Sequence, residues 1–230
     1  MSDYIQTFYN DVANNTARYV AALSIIGGVS MALLETLKDL LPVRQWFQRY
    51  YLNKWMQAGA AEAGLPGQAA TNAERDLLKL AVDGDASALY DLQIEQMCGQ
   101  FTAAIQIVLE FPALHSDLLK ITASQARTAD LALVIAGSNP PTQDFLDARN
   151  RVTHQCQRAI DAFQITAGFR WKWILQIASI ALSVVLVWVA MTMRGKNVNA
   201  VSIIVSALLA GFLAPVAKDL LAVLDKARGK

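Results

Sequence analysis

Residues 173–193 read WILQIASIALSVVLVWVAMTM and contain no charged side chain. At the rise of an α-helix this run covers about 31 Å, close to the hydrocarbon thickness of a bilayer. Arg170 and Lys172 stand before it, and Arg194 and Lys196 after it. Trp171 and Trp173 mark one end and Trp188 lies near the other. Tryptophan at both ends with flanking cations fits a spanning helix better than a buried core helix. The run therefore predicts an integral membrane protein, and the rest of the chain has to be read around it.

A second apolar segment, residues 198–217, follows after the short turn MRGKNVN. So short a connection predicts an antiparallel hairpin. Pro215 near its end is tolerated in a membrane helix where neighbours satisfy the freed carbonyl. An amphipathic basic tail, 218–230, completes the chain. A third candidate lies at 19–41, where residues 20–34 are uninterrupted before Glu35, Lys38 and Asp39. Its length is marginal, and a buried or re-entrant helix is the competing reading. The basic aromatic stretch 44–54 that follows favours a span. The expected order is an N-terminal segment (1–18), transmembrane helix 1 (19–41), a helical cytoplasmic domain (42–170), transmembrane helix 2 (171–194), transmembrane helix 3 (198–217) and the tail (218–230). The fold class is all-α, with three spans around one central domain. The 54% hydrophobic content of the 230 residues exceeds that of an ordinary soluble domain, and the excess gathers at the two ends.

Lysine and arginine placement sets the orientation. Arg44, Arg49 and Lys54 follow the first segment, Arg170 and Lys172 precede the second, and Lys218, Lys226, Arg228 and Lys230 follow the third. With three spans all of these face the cytoplasm; Arg194 and Lys196 in the turn oppose the assignment. The collar Arg44, Arg49, Lys54, Arg170 and Lys172 is then placed over anionic lipid head groups.

The central region reads as helix throughout. Helices are expected at 44–64, 73–82, 85–109 and 116–136, with a loop from Leu65-Pro66-Gly67 to Asn72 and a stop at Gly137. Ile94, Met97, Cys98, Phe101, Ile105 and Val108 share one face. Asn139-Pro140-Pro141 breaks the chain, and Thr142 caps a helix that runs towards the span, with Gly168 as a place to bend. On that helix Phe145, Ala148, Val152, Cys156, Ala159 and Phe163 form an apolar side. Asp147, Arg151, His154, Arg158 and Asp161 form a polar one, read as a solvated or self-paired face.

Catalytic and cofactor signatures are missing: no zinc-protease helix, no phosphate-binding loop, no nucleophile elbow and no dinucleotide fingerprint. No cofactor and no metal are expected. Cys98 and Cys156 each fall on an apolar stripe and read as buried small hydrophobes rather than ligands. His154 and Cys156 are two apart, so they cannot share a helix face. The net charge of +1 comes without a basic patch, so nucleic acid is not an expected partner. The expected partners are the lipid bilayer and either another protein or a second copy.

Charged groups at membrane depth call for partners. Glu35, Lys38 and Asp39 end the first span, and Lys218 and Asp219 end the third, so pairing between these two sets is expected. Small residues at close-packing spacing, Gly28 with Ala32 and Ala207 with Gly211, predict faces where helices approach closely.

The block GFLAPVAKDLLAVLDKARG, residues 211–229, resembles the C-terminal block of a group of uncharacterised bacterial inner-membrane proteins through Ala214-Pro215, Asp219-Leu220-Leu221 and Arg228-Gly229. Residues 149–173, a long polar helix entering a span, are also similar; Glu35 and the following Leu-Pro-x-Arg fit more loosely. Where that group often has Gly before the Ala-Pro pair, this chain has Leu213. The resemblance implies bacterial origin and the inner membrane, and points to no particular activity. Three functions are expected in order: a membrane-anchored interaction or scaffold protein, then a homo-oligomeric pore or membrane-perturbing effector, then a membrane-bound enzyme. For the pore, Gln176, Ser179 and Ser183 are the candidate lining.

Overall fold

The computed structural model describes residues 42–193, together with helical positions 28, 29, 32, 33 and 36. The chain divides into two compact units, residues 42–171 and a second made of 1–41 with 172–230. No strand occurs among the described residues. Seven helices are described: α1 Val43–Glu62, α2 Gly67–Val82, α3 Ala86–Asp91, α4 Ile94–Glu110, α5 Ser116–Thr122, α6 Thr128–Ala136 and α7 Gln143–Met193.

In the 42–171 unit, α2 is the hub and touches α1, α3, α4 and α5. Its buried face is small, Ala69, Ala70 and Ala73 before Leu77, which lets neighbouring helices come close. Around it Leu52 and Met56 from α1, Met97, Phe101 and Val108 from α4, and Leu118 and Leu119 from α5 are fully buried. The α4 stripe predicted from spacing is buried as a whole. α7 closes the core with Ala148, Val152, Cys156, Ile160 and Phe163. α1 and α7 run antiparallel within this unit. Phe47 packs against Trp171 with ring centroids 5.0 Å apart and planes tilted by 43°, and Trp55 packs against Phe163 at 5.3 Å and 48°.

Three helix bounds differ from the sequence reading. α2 begins at Gly67, inside the stretch expected to be loop, because Ala69 and Ala70 gain burial there. The expected helix 85–109 is two helices. Leu92 and Gln93 are extended, Gln93 and Gln96 form a reciprocal capping box, and the Gln48 side-chain amide donates to the Leu92 carbonyl at 2.9 Å. The expected helix 116–136 is also two, separated where Arg127 turns extended and reaches Asp130. Gly137 does end α6, with φ 73° that suits glycine, and Thr142 Oγ1 accepts from the Phe145 amide at 3.3 Å. α7 is unbroken through Gly168.

Candidate membrane and interaction surfaces

Among the described residues one helix, α7, is long and apolar enough to cross a membrane. From Lys172 onward it lies in the second unit, and the burial pattern there is the reverse of that of a soluble helix. Trp173, Ile174, Ile177, Val185, Trp188 and Val189 are exposed. The hydroxyl residues Ser179 and Ser183 are buried, 3% and 0% exposed. Ser183 Oγ donates to the Ser179 carbonyl at 2.9 Å, the back-bond that lets a hydroxyl sit in an apolar setting. Gln176 is exposed. The expected pore-lining set is therefore divided: its two serines are buried and its glutamine is exposed.

Much of what was expected to pair or pack in the membrane falls elsewhere. Glu35, Lys38, Asp39, Lys218 and Asp219 lie outside the described residues, as do Ala207 and Gly211, the segment 198–217 and the 211–229 block. Gly28 and Ala32 are helical positions, and Thr36 Oγ1 donates to the Ala32 carbonyl at 2.9 Å.

The collar residues of the 42–171 unit are not equivalent. The packing of Phe47 against Trp171 brings the start of α1, with Arg44 and Arg49, to the end of the unit that holds Arg170. Arg44 is half-buried and reaches Asp91 at 3.4 Å. Lys54 lies further along α1, in a depression shared with Ala162 and Thr166. Lys172 belongs to the other unit and is exposed. An open cleft of about 550 Å³ near the start of α1 is lined by Trp46, Arg49, Tyr50, Glu74 and Arg75. Its carboxylate is already engaged: Tyr90 Oη and Asn53 Nδ2 each donate to Glu74 at 3.1 Å. Burial, and then the Glu74 charge, hold the Tyr90 phenol well above its usual range, so it stays a donor.

The polar side of α7 contains the strongest ionic contact of the unit. Asp130, on α6, is buried and is clasped by two guanidinium groups. Arg151 Nε and Nη2 donate to it at 2.9 and 2.8 Å, and Arg127 Nε and Nη2 at 2.9 and 3.0 Å. Both are two-pronged, charge-assisted pairs. The Arg151 bonds first, and the Arg127 bonds next, hold the Asp130 carboxyl far below the usual carboxylate range. Arg151 is exposed on the polar face, as spacing expects; its partner Asp130, 21 positions back, is out of reach of periodicity within one helix. His154, Arg158 and Asp161 are exposed as expected.

Cys98 and Cys156 are buried free thiols. Burial, with Glu95 and Asp161 adding to it, pushes Cys98 up to about 12; burial pushes Cys156 to about 11 despite the Thr122 hydroxyl at 3.6 Å. His115 stands before α5 and faces Asp76 at 3.4 Å. No group of three or more metal-binding side chains occurs among the described residues.

Comparison with known proteins returns nothing that matches: no protein-family model, no curated protein and no solved structure is similar to this chain.

Proposed function

We propose that this chain is a membrane-anchored interaction or scaffold protein of the bacterial inner membrane. In this reading its helical 42–171 unit lies on the cytoplasmic side, and three spans hold it there. The inverted surface of α7 carries the proposal: large apolar side chains exposed along the charge-free run, with Ser179 and Ser183 turned inward. Water would oppose that arrangement and hydrocarbon favours it. A contiguous exposed apolar face of this kind marks a membrane or protein contact. The lysine and arginine distribution supports the cytoplasmic side, and the likeness of residues 211–229 to a bacterial membrane group supports the compartment. An anchor for a binding unit requires no catalytic constellation, which agrees with the motifs missing from the sequence.

Alkaline carbonate extraction of membranes from expressing cells tests the anchor. The full chain is expected in the pellet, and its release into the supernatant would overturn the reading. Reporter fusions at the C-terminus test orientation: a cytoplasm-active fluorescent fusion is expected to be bright, and an export-dependent enzyme fusion silent.

A further inference from the structure

Within the 42–171 unit α7 has apolar side chains on two sides. One side, from Ala148 to Ala167, is buried in the core. On another side Ala162, Ile165 and Phe169 are exposed, Ile165 at 73% and Phe169 at 63%. With Gln155 and Arg158 they follow one another at intervals of three, four, three and four residues. That alternation keeps one seam facing a neighbouring parallel helix.

Lipid covers only part of this seam. Phe169 and Ile165 precede Trp173 by four and eight residues, or about 6 and 12 Å of helix. The head-group layer outside the hydrocarbon is about 5–8 Å deep on each side. Phe169 falls inside that depth, whereas Ile165 and Ala162 lie beyond it. Beside the seam is a depression of about 250 Å³, bounded by Tyr51, Trp55, Ala58, Ala162 and Phe163, with Lys54 also on its wall.

We propose that two copies of this chain pair through this seam, α7 parallel to α7, across a two-fold axis along the membrane normal. The inference rests on the anchored reading above, because copies held by the same span present α7 in parallel and at one depth. Such an axis sets each seam position against its own counterpart. Alanine then meets alanine at 162, isoleucine meets isoleucine at 165 and phenylalanine meets phenylalanine at 169. The small side chains of Ala58 and Ala162 allow close approach. Glu62 and Arg158 line one cavity of about 320 Å³, and neither forms an ion pair among the described residues. The axis sets Arg158 against its own counterpart as well, and the Glu62 carboxylates, each accepting from the Ser124 hydroxyl at 2.8 Å, lie at that level and offset the repulsion of the two guanidinium groups. Confinement to one membrane raises the effective concentration of the second copy.

The test is oxidative cross-linking of the full-length chain in native membranes, with Ile165→Cys, Phe169→Cys and, as the off-seam control, Gln157→Cys. The unsubstituted chain, whose Cys98 and Cys156 are buried, is the blank. Disulfide-linked dimer is expected at 165 and 169 and not at 157. Adding Ile165→Asp to Phe169→Cys is expected to weaken pairing by about tenfold or more, as loss of one buried apolar anchor does. Absence of dimer at 165 and 169, equal dimer at all three sites, or an adduct with the mass of a different protein would overturn the pairing. Carbonate extraction of the same membranes keeps the two ideas apart. A chain retained in the pellet without dimer defeats the pairing alone. A chain released while still cross-linking at 165 and 169 defeats the anchor and leaves the pairing standing.

Discussion

Asp130 is the residue on which the polar design of the 42–171 unit turns. A buried carboxylate with four charge-assisted hydrogen bonds favours its ionised form, so its native pKa is depressed. The stability it contributes is then present above the unfolded value of about 3.9 and is lost as pH falls through and below it. Urea unfolding of the parent chain and of Asp130→Asn, measured from pH 7 down to pH 3, is expected to show the parent ahead at neutral pH. The gap should begin to narrow as pH drops below about 4 and keep narrowing to the lowest pH measured, because the depressed native value lies well below the unfolded one. A gap that stays constant would mean that the two arginines do not act on the ionised carboxyl. The thiols give a second prediction. With Cys98 near 12 and Cys156 near 11, and both buried, the thiolate fraction at pH 8 is minute. Disulfide-exchange reagents should react with the native chain slower than with free cysteine by a factor on the order of a hundred or more. Both thiols should become reactive on unfolding.

At the scale of the element, the meeting of α1 and α5 depends on one missing side chain. A Cβ at Gly59 would lie 2.7 Å from the Ile121 carbonyl oxygen and 2.9 Å from its Cγ2. The first of these is backbone and cannot rotate away. Gly59→Val should therefore cost about 1–3 kcal/mol of stability through overpacking, even though valine is an acceptable helix residue. A chemical-denaturation midpoint unchanged from the parent would show that α5 shifts freely. Phe101→Ala, at the centre of α4, should cost about 3–5 kcal/mol, because Phe101 is buried to 1% and packs near Phe163. The break between α3 and α4 belongs to the same scale. Gln48 sits on α1, 44 positions from the Leu92 carbonyl it binds.

For the whole molecule, the proposed anchor turns on the free energy of placing α7 in hydrocarbon. Val185 is exposed and lies two residues from the centre of the charge-free run. Val185→Arg should raise the cost of insertion by about 2.5–3.5 kcal/mol and lower the membrane-retained fraction on carbonate extraction. Val185→Leu should leave that fraction unchanged. Equal retention of both variants would mean that this face of α7 meets protein rather than lipid.

The sequence by itself determined the all-helical class, the long helix from Gln143 and its charge-free end, the buried α4 stripe, the Gly137 stop and the Thr142 cap. Each follows from local chemistry: a period of 3.6 residues, a left-handed backbone at glycine, a hydroxyl set before a first turn, and a run of apolar residues as long as a bilayer is thick. Tertiary structure alone decided the rest. The splitting of two expected helices, the clasp on Asp130 and the contact at Gly59 depend on partners far along the chain, and periodicity reports only the face a residue shares with its neighbours three and four positions away. Whether a helix face that is apolar in sequence is covered was equally beyond spacing. Val152 and Ile165 are both β-branched aliphatic residues on the same helix, yet one is buried in the core and the other is 73% exposed. The charge-free run is legible in the sequence as a candidate span; that Ser179 and Ser183 are buried while Trp173 and Trp188 are exposed is seen only in the structure.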